Sequence, residues 1–122
     1  MIGNLALKPV IWIGSTRRDF RAMPGTVKSD MGYALYLAQQ GEKHRNAKPL
    51  RGFAGAGVVE IVSDDRGNTF RCVYTVRFAG SVYVLHVFQK KSKTGRATPK
   101  THIALIAQRL RQVERIAKGE QA

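Results

Sequence analysis

Acidic residues are what this chain lacks most. It holds 8 Asp and Glu against 21 Lys and Arg, a formal net charge of +13. A surplus of that size speaks to partners rather than to fold, and it points first to polyanions, nucleic acid being the commonest. Cysteine is almost missing as well. Cys72 stands alone, so no intramolecular disulfide can form, which suits a reducing compartment. It sits in an apolar alternation and reads as a buried thiol rather than a nucleophile. The three histidines, His44, His86 and His102, lie far apart, and no Cys/His spacing suggests zinc, so metal-free chemistry is expected. No apolar run approaches the roughly 20 residues of a membrane span. The apolar stretch near the start is broken by Lys8-Pro9, unlike a signal peptide. We expect a cytoplasmic protein that needs no cofactor and meets no membrane.

What is present suffices for a folded core. The chain has 122 residues, of which 43% are hydrophobic, richer than a disordered polycation would be. One domain over residues 1–122 is expected, with residues 1–8 as a loose lead-in. Val10-Ile-Trp-Ile13 is a short apolar run of β character, ended by Gly14. Thr16 with Asp19 fits a capping box and predicts a short helix ending near Met23. Pro24 heads a longer helix in which Val27, Met31, Ala34, Leu35 and Ala38 recur at helical spacing, closed by Gly41. Residues 42–57 read as a connecting loop with a turn at Lys48-Pro49. Three strands follow, 58–63, 69–78 and 82–89, joined by Gly-bearing turns, which implies an antiparallel meander. Thr98 as N-cap and Pro99 at the first helical position open a last helix, with an apolar stripe of Ile103, Ile106, Ala107, Leu110 and Val113. Arg109, Arg111, Arg115 and Lys118 lie largely off that stripe. The fold class is α+β: two N-terminal helices, an antiparallel meander with a short N-terminal strand, and a C-terminal helix.

Between the last strand and the last helix lies the densest charge. Gln89-Lys-Lys-Ser-Lys-Thr-Gly-Arg-Ala-Thr-Pro-Lys100 contains five cations and no acid. A cationic loop in that position is well placed to hold phosphate.

Several stretches together resemble the RelE/ParE superfamily of bacterial toxins. They are Lys48-Pro-Leu-Arg-Gly52, Phe70-Arg-Cys-Val-Tyr74, His86-Val-Phe-Gln-Lys-Lys91 and Thr98-Pro-Lys-Thr-His-Ile103, taken in their order along residues 9–115. The basic tract is similar to that of the phage-derived, HigB-type branch. The resemblance implies a RelE-like fold and the toxin of a type II toxin–antitoxin pair. Many members are ribosome-dependent endoribonucleases that cut mRNA. The implied partners are a cognate antitoxin, in HigB-type systems one with a DNA-binding helix-turn-helix domain, and the ribosome with its mRNA. The ParE branch shares the fold but inhibits DNA gyrase without nuclease activity, so the site must decide. A plain RNA- or ribosome-binding module is a third reading.

Metal-free RNA cleavage uses the 2′-OH as nucleophile, and needs a proton acceptor, cations at the phosphate and a donor for the departing 5′-oxygen. Arg71 alternates out of the Phe70, Cys72, Tyr74 face. It is either a salt-bridged strand arginine or, as the resemblance implies, a scissile-phosphate contact. Lys90 and Lys91 point to opposite faces, so one of them enters a cleft; alternation groups Lys90 with His86 and Phe88 and Lys91 with Leu85 and Val87, and does not choose between them. His86 has a suitable pKa but lies mid-strand, where a structural role competes. RelE carries a tyrosine as donor near the start of the last helix; here the neighbourhood is Thr101-His102-Ile103, and His102 is the substitute or an exposed helix residue. RelE has two basic residues in the first meander strand, where this chain has Val59-Glu60-Ile61-Val62. Glu60 is a general base or, the preferred reading, the partner of Arg71 or Arg77 across the sheet. Lys93, Arg96, Lys100, Arg51 and Arg77 are candidates for RNA-backbone docking. Arg17, Arg18, Arg21, Lys43, Arg45 and Lys48 widen that footprint or are solvated surface charge. Trp12 is assigned to the core, and Tyr33 and Tyr36 to packing or partner contact.

Overall fold

The computed structural model describes residues 7–53, 55–90 and 98–119. Eight elements follow in order: β1 (Val10–Trp12), α1 (Thr16–Arg21), α2 (Gly25–Gln39), β2 (Lys48–Pro49), β3 (Val58–Asp65), β4 (Asn68–Thr75), β5 (Val82–Lys90) and α3 (Lys100–Ala117). The strands form one sheet in the order β1-β5-β4-β3-β2. β3, β4 and β5 are the expected antiparallel meander, and β1 joins β5 in parallel at the edge.

Period-two alternation sorts the meander onto two faces. Val59, Ile61, Phe70, Cys72, Tyr74, Val82, Val84 and Val87 face α2, which buries Val27, Met31, Ala34, Leu35 and Ala38 against them. The opposite face presents Val58, Val73, Tyr83, Leu85 and Phe88 to Ile106, Leu110 and Val113 of α3. The sheet is therefore the middle layer between two helices, and β4 is buried over most of its length. Polar clips add registration. Ser63 Oγ donates to Asp30 of α2 at 2.7 Å, and Thr26 Oγ1 to Asp65 at 2.6 Å. Trp12 is half-buried, its ring 5.2 Å from that of Phe20 in α1. Cys72 is fully buried, and burial pushes its thiol up to about 12, which makes it a poor nucleophile.

The β3–β4 hairpin turns on two residues, Arg66 and Gly67, with φ of 52° and 84°. Two positive φ values are those of a type I′ turn, whose twist matches the flanking strands. β5 has one irregularity. Tyr74 pairs with Val84 and Val73 with His86, so the register skips Leu85. This bulge brings Leu85 and His86 in succession onto the face toward α3.

Several boundaries differ from the sequence expectations. Lys48–Pro49 is not a turn but a two-residue edge strand on β3; Pro is tolerated there because an edge strand has a ladder side with no N–H to supply. β4 ends at Thr75, short of the expected Phe78. The N-cap of α1 is Ser15, not Thr16, and its hydroxyl donates to Asp19 at 2.7 Å. The N-cap of α3 is Pro99, and Thr98 spends its hydroxyl on Glu60 instead. In both cases the hydroxyl donates to a carboxylate, and no side-chain hydrogen bond caps the N–H groups at either helix start.

Candidate active site

The α3-facing side of the sheet changes character along its length. One end is the apolar packing just described. At the other, alternation lines up Glu60 of β3, Arg71 of β4, and His86, Phe88 and Lys90 of β5, with Thr98 and His102 approaching from the start of α3. Five of the six residues expected to do chemistry, Arg71, Lys90, His102, His86 and Glu60, meet here. The sixth, Lys91, lies outside the described residues, as do Lys93 and Arg96.

Arg71 and Lys90 are 7% and 8% exposed, unusual for cations. Arg71 Nη1 donates to Glu60 Oε2 at 2.8 Å, and Thr98 Oγ1 donates to the same oxygen at 3.0 Å. The preferred reading of Glu60 as a cross-strand partner thus holds for Arg71. Burying such a pair costs desolvation that largely offsets its attraction, so what it supplies is orientation. The register sets Arg71 opposite Phe88 and Thr69 opposite Lys90, so the two cations are diagonal neighbours on one face.

Three rings stack beside them. Phe88 lies 4.0 Å from His102 at 15° and 4.6 Å from His86 at 20°. His86 Nε2 and His102 Nδ1 are 2.7 Å apart, a full hydrogen bond between imidazoles. Burial, then His102 and Arg109, bring His86 down to about 4, with Asp19 opposing them. Burial lowers His102 too. The pair is therefore neutral near pH 7.

Arg109 is the member that sequence reasoning missed. It was set off the apolar stripe, yet its guanidinium turns under the helix and donates to the Leu85 carbonyl at 2.9 Å. The same Nη1 lies 3.5 Å from His86 Nδ1. A β-carbon on Gly14 would come within 2.7 Å of Arg109 Nη2, so the guanidinium rests on a backbone with no side chain, held at φ 59°. One signal was available: Arg109 follows His102 by seven residues, two turns along one side of the helix.

The remaining docking candidates sit apart. Lys100 and Arg51 are exposed. Arg77 meets Glu114 at 3.5 Å in a surface pair that contributes little. Arg17, Arg18 and Arg21 border a groove of about 470 Å³ with Gly14 and Ser15. Tyr33 and Tyr36 are exposed on α2, and Tyr33 meets His44 edge-on at 5.6 Å. Among the described residues no three His, Cys, Asp or Glu side chains gather as a metal site would require, and no helix is long and apolar enough to cross a membrane.

No curated protein matches the chain. Among solved structures it is similar to a chain of the toxin–antitoxin complex RelBE2 from Mycobacterium tuberculosis, with 22% identity over 75% of this chain and all of that one, and a TM-score of 0.46. The model of phage-derived Gp49-like proteins matches residues 18–111, most of the sequence, and the match includes Glu60, Arg71, His86, Lys90, His102 and Arg109. The chain belongs to the phage-derived Gp49-like protein family.

Proposed function

We propose that this protein is the toxin of a type II toxin–antitoxin pair and that it cleaves RNA phosphodiesters without a metal. One observation carries the reading: two buried cations, Arg71 and Lys90, share a sheet face with a hydrogen-bonded histidine pair. Membership in the Gp49-like family and the RelE-like motifs support it, and so does the net charge of +13. In the reaction the 2′-oxygen attacks phosphorus and the P–O5′ bond breaks. The products are a 2′,3′-cyclic phosphate and a 5′-hydroxyl, and the proton lost at the 2′-oxygen balances the one gained at the 5′-oxygen. Arg71 and Lys90 would hold charge on the phosphate as it passes through its five-coordinate state. His102, carried by the first turns of α3, would serve the departing oxygen. Glu60 is committed to Arg71 and Thr98, which argues against it as the base. Positioning and charge stabilisation then supply most of the rate.

The finer reading is a HigB-type enzyme acting on ribosome-bound mRNA and neutralised by an acidic antitoxin with a helix-turn-helix domain. Expression of the chain alone tests it. Growth arrest, with mRNA fragments bearing 5′-hydroxyl ends, is expected. Arrest with a DNA-damage response and intact mRNA would assign the protein to the gyrase-inhibiting branch instead. Normal growth with intact mRNA would leave only a binding module.

A further inference from the structure

We infer that Arg109 is a positioning residue that sets the tautomer of His86 and, through it, makes His102 present Nε2–H to the site. The argument is one of donor and acceptor count. A guanidinium donates and never accepts. Arg109 is held in place by the Leu85 carbonyl at 2.9 Å and by the bare backbone of Gly14, so the His86 nitrogen facing it at 3.5 Å must offer a lone pair. Neutral His86 therefore carries its proton on Nε2. That proton is donated to His102 Nδ1, 2.7 Å away. With Nδ1 accepting, neutral His102 keeps its proton on Nε2, the nitrogen turned away from His86.

The opposite polarity is disfavoured at its far end. A lone pair on His102 Nε2 would require Nδ1–H on His102 and Nδ1–H on His86, aimed at the guanidinium. Adding a proton to the pair meets the same clash. After burial, the titratable groups acting on His86 are His102 and Arg109 from α3, which lower its pKa, and Asp19 from α1, which raises it. Burial and Arg109 outweigh Asp19. The outcome is a polarised row from guanidinium through two imidazoles to an N–H. Such a donor suits a phosphate oxygen or the departing 5′-oxygen, and it is unsuited to taking the 2′-proton. The catalytic meaning rests on the nuclease reading; the tautomers do not.

The test is long-range proton–nitrogen NMR of the imidazoles in the full chain near pH 7.5. Both His86 and His102 are expected as Nε2–H tautomers. In Arg109→Gln, His86 should become a mixture, and the titration of the pair should move up by about one pH unit or more. RNA cleavage should fall at least about tenfold, less than the roughly hundredfold minimum that one positioned acid–base group contributes, because His102 itself stays in place. Arg109→Lys, which keeps a cationic donor, should restore the tautomers in part. Gly14→Ala, which displaces the guanidinium without removing it, should mimic Arg109→Gln, and decides the matter if that variant does not fold. Nδ1–H on His86 in the wild-type chain, or unchanged tautomers and titration in both variants, would overturn the inference. Wild-type tautomers as expected with RNA left intact would uphold the Arg109 assignment and remove the nuclease reading.

Discussion

At the scale of single residues, Glu60 sets the terms of the site. Its Oε2 receives both Arg71 and Thr98, so one carboxylate oxygen joins β3, β4 and the lead into α3. Glu60→Ala should lower stability by about 3–5 kcal/mol, because it breaks the buried ion pair that Glu60 forms with Arg71. Glu60→Gln should cost less, and urea unfolding of both variants measures the difference. Arg71→Ala, by contrast, should abolish growth arrest while a folded near-ultraviolet spectrum persists; arrest that survives it would remove Arg71 from the chemistry. His86 supplies a pH signature. Its folded value near 4 lies below the ordinary 6.5, so between these pH values the unfolded chain binds more protons than the native one. Stability should be full above about pH 6.5 and fall as the pH drops toward 4. The urea midpoint measured across that window should fall less in His86→Gln. The sequence grouped Lys90 with His86 and Phe88 and allowed Glu60 to pair with Arg71, because alternation needs only parity; which of Lys90 and Lys91 shares the face of Arg71 follows from the register of β4 on β5. It could not show the His86–His102 bond, which joins positions 16 apart through the packing of α3 on β5.

At the scale of elements, the two long helices were legible almost residue by residue. Their apolar spacing is a local property, and Ile106, Leu110 and Val113 are buried as that spacing predicts. Ile106 is fully buried between α3 and the sheet, so Ile106→Ala should cost about 2–5 kcal/mol. Because that residue lies one turn from both His102 and Arg109, thermal unfolding and cleavage should decline together. The ends of elements were less legible. Ser15 and Thr98 direct their hydroxyls to carboxylates, and a cap chosen by side-chain competition cannot be read from propensity alone. β2 escaped for a different reason: two residues carry no periodicity, and Lys48–Pro49 is a strand only because β3 offers an edge.

For the whole molecule, the distribution of charge matters more than its sum. Among the described residues most cations lie outside the three-layer core, while Arg71 and Lys90 are drawn inside it at the polar end of one face. Exposed cations should dominate non-specific RNA binding. Affinity for a short RNA should fall steeply, by orders of magnitude, as salt rises from about 50 to about 200 mM. Filter binding measures it; Arg71→Ala should change that slope little, and a flat salt dependence would count against a polyanion partner. The bulge in β5 carries a consequence for how such a chain tolerates change in length. The ladder with β4 passes over Leu85, so this strand holds one residue more than its pairing uses. Excising Leu85 would leave His86, Phe88 and Lys90 on their present face, whereas a deletion within the regular pairing on either side would turn part of the strand over. Yet the surplus residue is the one whose carbonyl Arg109 grips. A length variant there should keep the register of the strand while losing both a buried core side chain and the orienting contact, so that one deletion is felt in stability and in chemistry together.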